Sequence, residues 1–205
     1  MRIGRMASWL NFAKTMNKAR NLPLIGGGIA VAAVVLFLLL PAEAHIEREI
    51  LIDAPRATVF GLVNDFRQVN KWSAWLQDDP NARLEFTGAA RGIGAAMNWS
   101  GTIAGEGRQE ITSSVPYDEV ATALLKGSQR PARTAFLLTD ADNGTRVRWT
   151  YDVSFGLNPL DRFLGLMLDD IVGAEFGEGL ISLKAMAESL PRGDYSDLKV
   201  CLLYT

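Results

Sequence analysis

The sequence predicts an α+β domain in which a curved antiparallel sheet wraps around a long C-terminal helix, preceded by one N-terminal transmembrane helix. Three observations carry this. Leu22–Leu40 is a run of 19 residues without a charge. Between residues 82 and 155 the apolar residues follow a period of two, and from Leu160 to Leu190 they recur at helical spacing.

The apolar run comes first in the chain. At about 1.5 Å per residue it spans roughly 28 Å as a helix, the thickness of a bilayer's hydrocarbon core. A lone segment can only be helical there, because every backbone group must be satisfied internally. Residues 1–21 carry Arg2, Arg5, Lys14, Lys18 and Arg20 and no acid. The remainder of the chain holds 16 basic against 23 acidic residues, a formal −7. The basic flank therefore puts the N-terminus in the cytoplasm and the soluble part outside it. Met6, Trp9, Leu10, Ala13 and Met16 also share a helical face, which suits a helix lying among lipid headgroups or a solvated basic leader. The partition read from this is a basic cytoplasmic leader (1–21), an anchor (22–41), a folded domain (44–190) and a tail (191–205). A secreted form is the alternative, because Ala42-Glu43-Ala44 resembles a signal-peptide cleavage site; the run is longer than the usual signal core.

The folded part then reads element by element. Residues 46–52 (IEREILI) form a first strand. Asp53-Ala54-Pro55 opens a helix with proline in its first turn, and Val59, Phe60, Leu62 and Val63 form its buried face. Asn64-Asp65 ends it, and Phe66–Trp75 follows as a short aromatic-rich helix or turn. Strands follow at residues 83–86, 95–100, 106–115, 118–126 and 134–139, the third and fourth of these hinged at Pro116, which cannot sit inside a ladder. Asp142-Asn143-Gly144 is expected to supply the positive φ of a tight hairpin. In the last strand Val147, Trp149, Tyr151, Val153 and Phe155 face one way and Arg146, Arg148, Thr150, Asp152 and Ser154 the other, so one face is buried and one wet. Asn158-Pro159-Leu160-Asp161 combines a capping Asn, Pro at the first helical position and an acid near the dipole's positive end. The final helix carries Gly173, Gly177 and Gly179, which predict a break near Gly173 or a close approach to another backbone.

Composition excludes several classes of function. The acidic balance argues against nucleic acid. With one cysteine, Cys201, no intramolecular disulfide can form, and with one histidine, His45, a structural zinc site has almost no ligands. No cofactor or metal is expected. Gly88–Gly94 joins two strands, which is the wrong context for a phosphate-binding loop.

Residues 41–189 resemble the START-like superfamily with the helix-grip fold, also termed SRPBCC, and within it membrane-anchored polyketide cyclase/dehydrase-like proteins. The residues that carry the likeness are PAEAHIEREILIDAPRATVFGLVNDFRQVNKWSAW, FTGAARGIGAAMNWSG, DNGTRVRWTYDV and FGLNPLDRFLGLMLDDIVGAEFGEGLISLKAMAE, in that order. The resemblance implies an apolar cavity between sheet and C-terminal helix that binds lipids, polyketides or other apolar molecules. It brings no universal catalytic motif, and fold does not determine chemistry.

Candidate pocket residues are Trp72, Trp75, Phe86, Met97, Trp99, Trp149 and Tyr151, with Phe163, Met167 and Phe176 facing the sheet from the last helix. Aromatic walls with a polar tip hold and orient apolar ligands, and the same residue types also fill an ordinary core. Trp72 and Trp75 are alternatively the rim of the pocket mouth. The acids open to proton-transfer work are Glu85, Glu110, Asp152, Asp169, Asp170, Glu175 and Glu178, with solvated faces as their default place. No catalytic residue is assigned. The reading placed first is a membrane-anchored binding module for a hydrophobic small molecule or lipid. A cyclase/dehydrase-type enzyme, and an envelope interaction protein with a filled core, are its alternatives.

Overall fold

A computed structural model describes residues 27, 28, 37, 39–73, 79, 81–127 and 130–191. The chain divides into two units, Met1–Pro41 and Ala42–Thr205. Most of the segment read as an anchor, all of the leader and all of the tail beyond Pro191 lie outside the described residues. Among the described residues no helix is long and apolar enough to cross a membrane.

Ala42–Thr205 contains strand β1 (Glu43–Ile52), helices α1 (Arg56–Val63) and α2 (Phe66–Trp72), strands β2 (Arg83–Gly88), β3 (Ala95–Gly101), β4 (Gly105–Val115), β5 (Glu119–Lys126), β6 (Ala132–Ala141) and β7 (Gly144–Ser154), then helices α3 (Pro159–Gly165) and α4 (Leu168–Ser189). The strands form one antiparallel sheet in the order β1-β7-β6-β5-β4-β3-β2. A register shift between Ile111 and Ser113 inserts Thr112 as a bulge in β4, the device that bends a sheet. This is the α+β helix-grip arrangement expected, a curved sheet with a long C-terminal helix against it.

Local chemistry explains the ends. Asp65 caps α2, its carboxylate accepting from the Arg67 N–H at 2.8 Å. Asn158 caps α3 by accepting from the Leu160 N–H at 3.0 Å, with Pro159 next and Asp161 in the first turn. Pro55 takes the cap position of α1, one residue earlier than expected.

Two expectations fail. Neither Asp142, Asn143 nor Gly144 has a positive φ. Glycine is required at 144 for space, because a Cβ there would overlap the Ile52 carbonyl. Likewise α4 runs unbroken through Gly173, and the interruption falls at Leu166-Met167. A Cβ at Gly173 would overlap the Arg48 guanidinium, so the close approach is to a side chain.

The sheet's inner face and the helices share one core. Ile52, Val59, Leu62, Trp72, Met97, Ile111, Val120, Leu138, Val147, Leu180 and Leu183 are all buried in it. Helix α4 lies along the edge strand β1. Arg48 pairs with Asp169 at 3.0 Å, Lys184 donates to the Leu51 carbonyl at 2.7 Å, and the Asp53 N–H donates to Glu188 at 2.8 Å.

Candidate ligand-binding site

These contacts hold α4 to the β1 side and leave space over the middle of the sheet. The space is a cavity of about 250 Å³. Helix α4 contributes Leu168, Ile171, Val172, Glu175 and Phe176 to its wall. The sheet contributes Trp99, Gln109, Leu124, Lys126, Thr134, Trp149 and Tyr151, and Ser73 follows α2.

Strand register assembles this wall. Thr122 pairs with Thr134, Thr134 with Tyr151 and Tyr151 with Ile46, so one cross-strand row points inward. Trp99 is opposite Gly107, where a Cβ would overlap its indole; the missing side chain lets the ring lie across β4. Trp149 is stacked between Phe176 (centroids 3.7 Å apart) and Phe136 (4.6 Å). Gly179 lets α4 approach this stack, since its Cβ would be 2.9 Å from the Trp149 ring.

The cavity's polar groups are few and ordered. The Gln109 amide donates to the Thr122 hydroxyl at 2.8 Å, and the Thr122 and Thr134 hydroxyls are 2.8 Å apart. Burial, and then the negative charge of Glu175, push the Tyr151 hydroxyl above its ordinary value of 10.0. Tyr151 is therefore protonated at neutral pH and able to donate a hydrogen bond. Trp149 Nε1 is buried without a hydrogen-bond partner among the described residues. The arrangement offers an aromatic and aliphatic wall with Gln109, Thr134 and the Tyr151 hydroxyl as uncharged polar groups and Lys126 and Glu175 as charged ones.

A larger depression of about 570 Å³ lies on the outer face of the sheet around His45, Arg133 and Asp152. It is more open to solvent than the inner cavity, and an apolar ligand needs most of its surface enclosed. The inner cavity is the better candidate.

Four of the residues singled out from the sequence come together there: Trp99, Trp149, Tyr151 and Phe176. Trp72 and Met97 are fully buried core, and Trp72 donates to the Leu62 carbonyl at 3.3 Å, so it does not form a rim. Phe86 packs at the core's margin beneath the Arg67 guanidinium, 5.0 Å from its ring centroid. Phe163 and Met167 do not face the sheet; they are 57% and 52% exposed. Trp75 lies outside the described residues. Of the acids considered, only Glu175 lines the cavity. Asp152 is bonded to His45 at 2.6 Å, Glu110 to Arg108 at 2.7 Å and Asp169 to Arg48, and Glu85, Asp170 and Glu178 are exposed.

Sequence reasoning missed Gln109, Thr134 and Leu124. The period-two pattern carried a usable signal, because each occupies an inward position of its strand. Asp79 was also missed. It is almost fully buried and accepts from the Ile103 and Ala104 N–H groups at 2.8 and 3.1 Å, a structural role in the β3–β4 turn.

Residues 43–188 match the family described as polyketide cyclase / dehydrase and lipid transport. The chain belongs to this family. Membership in the polyketide cyclase/dehydrase family implies handling of hydrophobic small molecules, in agreement with the cavity's lining. No curated protein matches the sequence. Among solved structures, the di-domain ARO/CYC StfQ from the steffimycin biosynthetic pathway superposes with a TM-score of 0.54 at 13% identity, over 72% of this chain and 51% of that one. The structure of Ara h 8.0201 gives 0.54 at 14% identity, over 72% and 99%. Protein MLL2253 from Mesorhizobium loti gives 0.52 at 16% identity, over 72% and 99%. At these identities the likeness is one of fold.

Proposed function

We propose that this protein is a membrane-tethered binding module that takes up a small hydrophobic molecule, or part of a lipid, between α4 and the sheet. The observation that carries it is the cavity of about 250 Å³ walled by Trp149, Phe176, Leu124 and Val172, with Gln109 and Thr134 at hand for one polar group. The volume is just below the roughly 300–1,000 Å³ of drug-sized ligand sites, so the guest is compact. The tether is the uncharged run Leu22–Leu40, and its basic flank supports a domain outside the cytoplasm.

A cyclase/dehydrase-type reaction is the second reading, and Tyr151 favours it. A protonated phenol beside Glu175 can donate to a substrate carbonyl oxygen while the walls hold the chain folded. A filled-core interaction protein is less well supported, because the space is not filled.

The test uses the full chain in lipid nanodiscs, extracted and analysed by mass spectrometry beside Leu124→Trp and Val172→Trp variants that fill the cavity. The wild type retains an apolar compound that both variants lose, while their circular dichroism is unchanged. Equal recovery from wild type and variants, with no thermal shift from added bicyclic aromatics, would overturn the binding reading.

A further inference from the structure

Helix α3 is amphipathic in the wrong sense for a water-facing helix. Its one buried side chain is Arg162, whose Nε donates to the Gly156 carbonyl at 2.8 Å. Meanwhile Leu157, Leu160, Phe163, Leu164, Leu166 and Met167 are 50–81% exposed. Ile171, at the start of α4, extends the same apolar face at 54% exposure. Of the acids among them, Asp161 pairs with Arg130 at 3.3 Å and Asp169 with Arg48 at 3.0 Å, while Asp170 is exposed. Single exposed apolar residues are ordinary on a protein surface, but seven within residues 157–171 are not.

The place of this corner in the chain indicates its partner. The Phe155 N–H donates to the Ala42 carbonyl at 2.8 Å, and the Phe155 ring presses on Gly165, where no Cβ would fit. One residue thus ties the start of the folded domain to the end of α3. The uncharged run Leu22–Leu40 stops two residues before Ala42, and two residues reach at most about 7 Å. If that run is in lipid, its end is within that reach of Ala42, the residue that Phe155 joins to α3. Ile171 belongs both to this face and to the cavity wall.

We infer that the α3–α4 corner is a second membrane contact, in which Leu160, Phe163 and Met167 enter the acyl boundary and the cavity opens beside them to the bilayer. This rests on the tethered reading, and it names the source of the guest as the lipid phase. A helix that puts its arginine inward and its apolar side outward suits an apolar medium.

The test places single cysteines, in a Cys201→Ser background, on the full chain in phosphatidylcholine vesicles. Each is labelled with an environment-sensitive fluorophore and challenged with doxyl-labelled phosphatidylcholine or with aqueous iodide. Phe163→Cys and Met167→Cys report the corner, Ala33→Cys the tether, and Asn143→Cys the far end of β7, about 33 Å away along an 11-residue strand. Labels at 163 and 167 are quenched by the lipid probe several-fold more than the label at 143. Quenching at 33 alone rejects the corner contact and leaves the tether standing. Labels at 163 and 167 protected from iodide but untouched by the lipid probe mean that protein covers the face, which also rejects it. No lipid quenching at any site, 33 included, overturns the tether and the inference together.

Discussion

The indole of Trp149 lies face to face with the ring of Phe176, centroids 3.7 Å apart and planes 8° from parallel. Phe136 stacks on the other side of the indole, and Trp72 meets it edge-on at 5.8 Å. This column joins α4 to the centre of the sheet and ends at the cavity wall. Phe176→Ala is expected to lower the unfolding free energy by about 3–5 kcal/mol, the usual range for removing a buried phenylalanine. Urea denaturation followed by circular dichroism measures the loss.

The helix glycines separate into opposite cases. Gly177 has open space around a virtual Cβ, so Gly177→Ala removes only the entropic penalty of glycine and stabilises by about 0.5–1 kcal/mol. At Gly179 the same change drives a methyl against the Trp149 ring, 2.9 Å away. That ring is held between two others and cannot swing aside, so Gly179→Ala destabilises by about 1–3 kcal/mol. Thermal unfolding of the two variants should move in opposite directions.

His45 is the chain's one histidine, so its titration can be read without ambiguity. The hydrogen bond that it donates to the Asp152 carboxylate, together with the charges of Asp152 and Glu47, holds the imidazolium above the ordinary 6.5. A raised pKa means that the pair's stabilisation is complete below pH 6.5 and is lost as pH rises through the folded value. Both side chains are about half exposed, so the effect on stability is small. Histidine Cε1 proton shifts should titrate above 6.5 in the wild type and move back towards it in Asp152→Asn.

Asp79 has the opposite sign. Hydrogen bonds from the Ile103 and Ala104 N–H groups hold its carboxyl below the ordinary 3.8. Its contribution is present above pH 3.8 and disappears as pH falls through the folded value. Thermal unfolding of wild type and Asp79→Asn across the acid range checks this. The wild type is the more stable at neutral pH, and the gap closes below pH 3.8.

The order of elements was legible in the residues because each rests on interactions between near neighbours. Alternation in β7 set its two faces, and Asn158-Pro159 marked the start of α3. The turn at Gly144 was legible in place but not in cause, since its glycine answers to the Ile52 backbone, 92 residues earlier in the chain.

Helical spacing shows that Leu160, Phe163 and Met167 share a side, and says nothing about which medium that side meets. Packing decided it: Phe155 seated Gly165, Arg162 turned to the Gly156 carbonyl, and the apolar face was left outward. The cavity has the same origin. Trp149 and Tyr151 are core residues by type, and the space beside them exists because Arg48, Leu51 and Asp53 bind α4 along the sheet's edge. Local sequence determined what forms, because capping and alternation act over a few residues. The tertiary structure decided what is left empty and what is left exposed, because both depend on contacts between distant parts of the chain.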